Sequence, residues 1–230
     1  MTASEVSSAV RALQPRFLDG VAASDLSGIL SAASVRRFLA NSVITNQGHP
    51  ANHLFLILEG RARSFYMTSG GQTTFFHWLP AGEMFGAMAL LPHPSEYLVS
   101  TQAVRDARLL IWERSRIRSF TSRYPRLLEN ALAIASDYMN AYLAMHVSLT
   151  CHTARQRLAE VLVNFASGIG HKVPGGVELS IRNEELATAA NVTPFTASRT
   201  LSEWQRTGLI VKSRGKLLLR APERLLLHEI

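Results

Sequence analysis

The sequence predicts an α+β fold: an N-terminal antiparallel β-roll (a double-stranded jelly roll), a long dimerisation helix, and a C-terminal winged helix-turn-helix. Three observations predict it. Between about Ser42 and Trp112, short apolar runs are broken at regular spacing by Gly, Pro and Asn, the texture of many short strands in a sandwich or roll. From about Arg126 to Leu149, apolar residues recur every three or four positions, the period of one helix face. Beyond Asn183, two helical segments flank a tight turn, and a hairpin with a basic tip follows.

Residues 1–40 read as short helices, with Leu26, Ile29 and Leu30 at helical spacing and Ser24 or Asp25 as a candidate cap. The strand candidates are Val43–Ile44, Leu54–Leu58, Arg63–Met67, Thr74–Trp78, Val99–Ala103 and Ala107–Trp112. Ser69-Gly70-Gly71 suits a hairpin turn, because glycine supplies the positive φ that tight turns need. Pro125 separates a short helix from the long one. On the long helix, Leu128, Leu132, Ala135, Met139, Tyr142, Met145 and Leu149 form a stripe. Such a stripe packs on its own domain or on a second copy, and its length between two domains favours a homodimer seam. Thr153 and Gln156 have the spacing of a capping box, which opens a helix over Ala154–Ile169. A loop through Gly168–Gly176 and a short strand over Val177–Ile181 follow. The expected division is therefore 1–121 for the sensor roll with its N-terminal helices, 122–150 for the long helix and hinge, and 151–230 for the C-terminal domain.

The C-terminal segment carries the chemistry. A first helix covers about Asn183–Ala190, and Asn191-Val192 makes the turn. Thr193-Pro194 then opens a second helix, a hydroxyl N-cap followed by the residue whose preset φ and missing N–H suit the first helical position. Ala197, Leu201 and Trp204 share its inner face, whereas Phe195, Thr196, Ser198 and Arg199 lie toward the other side. A helix whose N-terminal half lacks large acidic groups can approach phosphate and enter a major groove. Arg199 has the fork that matches a guanine O6/N7 edge. Thr193 and Ser198 are small enough to reach phosphate or a base. Arg182 and Asn183 stand at the start of the first helix. Lys212, Arg214 and Lys216 sit on the hairpin, where a wing meets the DNA backbone. Each feature alone has a bland explanation, such as a surface salt bridge or a solvated tip. The conjunction points to double-stranded DNA as a partner.

Composition agrees. The chain has 230 residues and a net charge of +7, which suits a polyanion. Hydrophobic residues at 47% and charged residues at 18% leave disorder unfavoured. Cys151 is the single cysteine, so an internal disulfide and a cysteine-ligated iron–sulfur cluster are excluded. No apolar signal core opens the chain and no long apolar run crosses a membrane, so a cytoplasmic protein with no membrane partner is expected. An enzyme is not expected: glycine-rich phosphate loop, metal-ligand spacing and nucleophile elbow are all missing. Glu59, Glu83 and His77 make a conceivable acid–base group, but roll turns hold such residues for structural reasons.

From about Asn41 to Leu227 the chain resembles the Crp–Fnr family of bacterial transcription regulators. The carriers are Gln47-Gly48, Leu54-Phe55-Leu56-Ile57-Leu58-Glu59-Gly60, Pro80-Ala81-Gly82-Glu83-Met84-Phe85-Gly86, Ser198-Arg199 with Leu201, Gly208-Leu209-Ile210 and Gly215-Lys216. The resemblance implies a homodimer joined along the long helix and two recognition helices on a near-palindromic operator. It further implies recruitment or blocking of RNA polymerase, and an effector in the roll that shifts the DNA-binding domains about a hinge at Leu149–Thr153.

The chain departs from the pattern where ligands bind. Cyclic-AMP-binding members carry a glutamate after the Phe-Gly pair and an Arg-Ser pair further on. Here those positions are Ala87 and Tyr97-Leu98, and Tyr142 and Leu143 stand where the long helix would face the base. None can neutralise a buried phosphate, so cyclic AMP is not expected to bind in the usual way. The corresponding effector region is Phe85, Gly86, Ala87, Met88, Tyr97, Leu98, Tyr142 and Leu143, open to an unknown, apolar small molecule or to none. No cofactor is expected; haem, with His49, His53, His77 or His93 as ligands, is a minor alternative. Many members also carry a glutamate where Phe195 stands, which replaces a cytosine contact with one suited to a thymine methyl.

Overall fold

The computed structural model describes residues 2–213 and 215–227. They form two compact units, Met1–Asn140 and Ala141–Ile230.

The first unit opens with α1 (Ala3–Leu13), where Thr2 and Glu5 close a capping box, and α2 (Ala23–Ser31). Two four-stranded antiparallel sheets follow. One has the order β1 (Ser34–Phe38), β8 (Ala107–Glu113), β3 (His53–Glu59), β6 (Met84–Phe85). The other has the order β2 (Val43–Thr45), β7 (Ser100–Ala103), β4 (Arg61–Met67), β5 (Thr73–Pro80). This is the double-sheet roll that the strand texture implies.

β3 explains the geometry. Its run Leu54–Leu58 is wholly buried, because it packs on both faces. Leu54, Leu56 and Leu58 join Leu110 and Trp112 in a core shared with α1 and α2. Phe55 and Ile57 turn the other way, with Leu109 and Ile111, onto Ala62, Leu79 and Ala103 of the second sheet. The period-2 alternation of a strand thus feeds two cores. Trp112 Nε1 donates to the Ile29 carbonyl at 2.7 Å, so the indole keeps its hydrogen bond inside.

Three local readings are corrected. Residues 1–40 are not all helical, since Ser34–Phe38 is strand β1, paired with β8 from Ser34↔Ile111 to Phe38↔Ala107. Val35 and Phe38 pack on different cores, which only an extended segment between them allows. Neither Ser24 nor Asp25 caps α2: its N-cap is Ala22, with no side-chain bond. Asp25 instead accepts from the Tyr124 hydroxyl at 2.9 Å. The segment Gly168–Gly176 contains strand β9 (His171–Val173), which pairs with β10 (Gly176–Leu179).

Helix α3 (Arg114–Arg123) leads to α4 (Pro125–Cys151), with Pro125 at the junction. The inner face of α4 in the first unit is Leu127, Asn130, Ala131 and Ile134. Asn130 donates to the carbonyls of Phe17 and Asp19 at 3.0 and 2.8 Å. The other face leaves Leu128, Leu132, Ala135 and Met139 exposed, with Leu132 at 72%.

The second unit takes the end of α4, where Tyr142, Leu143, Val147 and Leu149 are exposed and Met145 half-buried. α5 (Ala154–Ile169) opens with the Thr153–Gln156 capping box, whose two bonds measure 3.2 and 2.8 Å. Leu158, Ala159, Leu162 and Phe165 point inward. Then come α6 (Asn183–Ala189), α7 (Pro194–Arg206), β11 (Ile210–Ser213), β12 (Lys216–Leu219) and α8 (Pro222–Leu227). The sheet order is β11-β12-β10-β9.

Candidate nucleic-acid interface

The turn between α6 and α7 is sharp because Asn191 adopts φ +48°, a left-handed conformation that Asn tolerates better than most residues. The Thr193 hydroxyl accepts from the Thr196 N–H at 3.1 Å and shares a 2.9 Å hydrogen bond with the Thr196 hydroxyl. Thr193 is thereby engaged as the cap, and Pro194 takes the first helical position. Gly208, φ +77°, ends the segment after α7, where a side chain would strain the backbone.

Burial divides α7 cleanly. Ala197, Leu201 and Trp204 are fully buried and Thr200 nearly so. Phe195 is 76% exposed, a large apolar ring standing in solvent. Thr196 and Ser198 are half-buried, and Arg199 is exposed, its Nε 4.0 Å from Glu203 Oε1. Glu203 is held mainly by Arg155, whose guanidinium lies 2.5 Å from Oε2. Arg199 therefore keeps its fork available.

The strand hairpin β11–β12 lies close to this helix, since Lys212 Nζ reaches the Ser202 hydroxyl at 3.3 Å. Lys216 Nζ pairs with Glu178 at 2.7 Å. Arg182 donates its backbone N–H to Glu185 at 3.0 Å and its guanidinium lies 3.4 Å from the same carboxylate. Asn183 is the first residue of α6. A cleft of about 280 Å³ is lined by Arg182, Asn183, Lys212, Ser213 and Lys216, with Ile181, Gly215 and Leu217, so the first-helix and hairpin candidates converge. Arg214 lies outside the described residues.

One residue escaped the sequence reading. Arg157 on α5 donates from Nε to the Ala190 carbonyl (3.0 Å), from one terminal nitrogen to the His152 carbonyl (2.9 Å) and from the other to the Asn191 carbonyl (3.2 Å). It ties the helix-turn-helix bend to the residue that follows α4. An arginine far upstream in sequence gives no pattern that reveals this.

In the first unit and the start of the second, the expected effector residues fall in several places. Phe85 stacks on Phe55 at 4.7 Å. The Tyr97 hydroxyl accepts from the His53 N–H at 3.0 Å and donates to the His53 carbonyl at 2.9 Å. Burial pushes its pKa up, opposed by that backbone bond. Gly86, φ +82°, must be glycine, because a Cβ would sit 2.8 Å from the His53 carbonyl oxygen. Ala87 and Met88 pack against the two different cores, while Leu98 is exposed. Tyr142 and Leu143 are exposed on α4. The stretch Gly86–Leu98 holds no Lys or Arg, so it offers no cation to a phosphodiester.

His77 on β5 is half-buried, its ring 4.3 Å from that of Tyr138 on α4. Its Nε2 has no hydrogen-bond partner, and burial lowers its pKa to about 4. Burial, reinforced by the Glu83 carboxylate, raises that of Tyr138; its hydroxyl donates to Glu83 at 3.1 Å. Among the described residues, no group of three His, Cys, Asp or Glu could hold a metal ion, and no helix is long and apolar enough to cross a membrane. Cys151 is exposed.

Comparison with known proteins follows the same division. Residues 35–124 match the cyclic nucleotide-binding domain model, and residues 156–227 match the Crp-like helix-turn-helix domain model. The chain belongs to the Crp–Fnr family. This Crp–Fnr regulator is 30% identical over 213 residues to the cyclic AMP receptor protein of Thermus thermophilus, covering 92% of this chain and 94% of that one. It is 26% identical to the transcriptional activator protein anr of Pseudomonas aeruginosa, over 74% of this chain and 69% of that one. The fold matches that of the c-di-GMP-responsive regulator CLP of Xanthomonas campestris at a TM-score of 0.77 and 18% identity, covering 87% and 100% of the two chains. It is a DNA-binding transcription regulator and not an enzyme.

Proposed function

We propose that this regulator acts in the cytoplasm as a homodimer. The exposed stripe of α4 would form its seam, and it would place two copies of α7 in successive major grooves of a near-palindromic operator. Its domains would be 1–121, 122–150 and 151–230, with the hinge at Leu149–Thr153. The observation that carries the reading is the exposure of Phe195 and Arg199 opposite fully buried Leu201 and Trp204. Arg199 reads a guanine, Phe195 contacts a thymine methyl, and Ser198 and Thr196 contact phosphate or base edges. Arg182, Asn183, Lys212, Arg214 and Lys216 hold the sugar–phosphate backbone. RNA polymerase is the downstream partner through which promoters are switched.

Cyclic AMP does not govern this protein in the usual manner. The relative named a cyclic AMP receptor protein shares less than a third of its residues with this chain. Here Ala87 and Tyr97 stand where the cyclic-AMP-binding pattern has acid and arginine, and the Tyr97 hydroxyl is engaged by the His53 backbone. Haem is a minor alternative, and the single cysteine, Cys151, is too few to hold a cysteine-ligated iron–sulfur cluster.

Selection of bound duplexes from a random pool tests the proposal. The expected product is an inverted repeat whose half-sites lack the base pair read by glutamate in other members. Recovery of no consensus, or of the ordinary glutamate-read core, overturns it. Calorimetry with cyclic AMP should show no stoichiometric heat.

A further inference from the structure

The β-roll retains a cleft that the DNA reading does not use. It has a volume of about 260 Å³ and lies at the end of β2, against the turn into β3. Its polar wall is Thr45, Asn46, His49, Asn52 and His53; Phe55 and Tyr97 supply aromatic surface. The Gly86–Ala87 turn is not part of it.

Thr45 is the informative member. It is only 5% exposed, and its hydroxyl has no hydrogen-bond partner. A buried hydroxyl left unpaired is costly, and valine would fill the same space on a strand. Thr45 is also not isolated. It pairs with Thr101, Thr101 with Ser64, and Ser64 with His77, one cross-strand row over all four strands of the sheet. Thr101 and Ser64 are buried too. They share a face with Ala103 and Ala62, two residues along each strand, in an otherwise apolar core. Thr45, the β2 end of this row, also lines the cleft.

The wall also lacks Lys, Arg, Asp and Glu. Apart from the imidazoles of His49 and His53, a charged ligand would meet no counter-charge there. A hydroxyl and two carboxamides present both donors and acceptors, which complement the paired donor and acceptor of an amide. The volume, slightly under the usual range for ligand sites, accommodates about one ring.

We propose that this cleft binds a small uncharged amide on a single aromatic ring, hydrogen-bonded to Thr45 and stacked beside Phe55 and Tyr97.

The test uses the full chain with benzamide as probe and benzoate, its charged isostere, as counterpart. Calorimetry should give saturable benzamide binding, with benzoate at least about tenfold weaker. Thr45→Val should raise the melting temperature of the free protein, since it removes an unpaired hydroxyl, and weaken benzamide about tenfold or more. Asn52→Ala, at an exposed position, should weaken benzamide while leaving melting unchanged. Absence of saturation, equal affinity for benzoate, or unchanged benzamide affinity in both variants overturns the proposal. A selected operator duplex is titrated against the same samples. If the duplex binds while benzamide does not, the ligand proposal fails alone; if benzamide binds while the duplex does not, the DNA-contact reading fails alone.

Discussion

The imidazole of His77, whose Nε2 is closed off from solvent, makes the first unit acid-sensitive in a calculable way. Its pKa falls from the ordinary 6.5 to about 4 because burial disfavours the charged ring. An unfolded chain takes up the proton near pH 6.5, whereas the folded one resists until about pH 4. Stability is therefore complete above pH 6.5, declines between pH 6.5 and pH 4, and levels off below. The full loss is about 3 kcal/mol, of which about 2 kcal/mol has gone by pH 5. That is a large fraction of a typical domain's net stability. The direct assay is NMR titration of imidazole C–H resonances, with the His77 signal assigned by its disappearance in His77→Gln. Its midpoint should lie near 4. Urea unfolding at pH 7.5 and pH 5 should show a loss in the wild type that shrinks in the variant. A His77 midpoint near 6.5, or equal losses in both proteins, would refute the reasoning.

Arg199→Ala should cost roughly 1–3 kcal/mol per half-site and relax preference at one base pair, as read by mobility shift against single-base operator variants. Lys216→Ala should weaken binding to all duplexes about equally and lower the salt slope by about one. Because Lys216 already pairs with Glu178, Glu178→Gln should strengthen binding at low salt, and the same salt titration checks it. Leu132→Asp, at the most exposed large apolar position of α4, should shift the protein to monomer in analytical ultracentrifugation, with operator affinity falling in parallel.

What the sequence revealed and what it hid divide along physical lines. Leu54–Leu58 and, within Ala107–Trp112, the run Leu109–Trp112 were legible as strand because segments buried on both faces read as continuous apolar runs. Thr153–Gln156 and Thr193-Pro194 were legible because capping is local chemistry over three or four residues. Strand β1 was not, since Arg36 and Arg37 interrupt the alternation between Val35 and Phe38 and five residues are too few to show a period. The candidate contact residues of α7 could be named from face and chemistry alone. The partner of Asp25, ninety-nine residues away in Tyr124, could not. Nor could the row Thr45–Thr101–Ser64–His77, because strand register joins residues whose sequence separations carry no pattern.

The guanidinium of Arg157 grips three carbonyls, one just past the end of α4 and two at the bend before α7. Such a three-point clamp ties the turn before α7 to the residue that follows α4: displacing either alone would break charge-assisted hydrogen bonds. If the end of α4 turns, the clamp would carry the bend with it, and α7 would be re-aimed as a folded helix rather than melted.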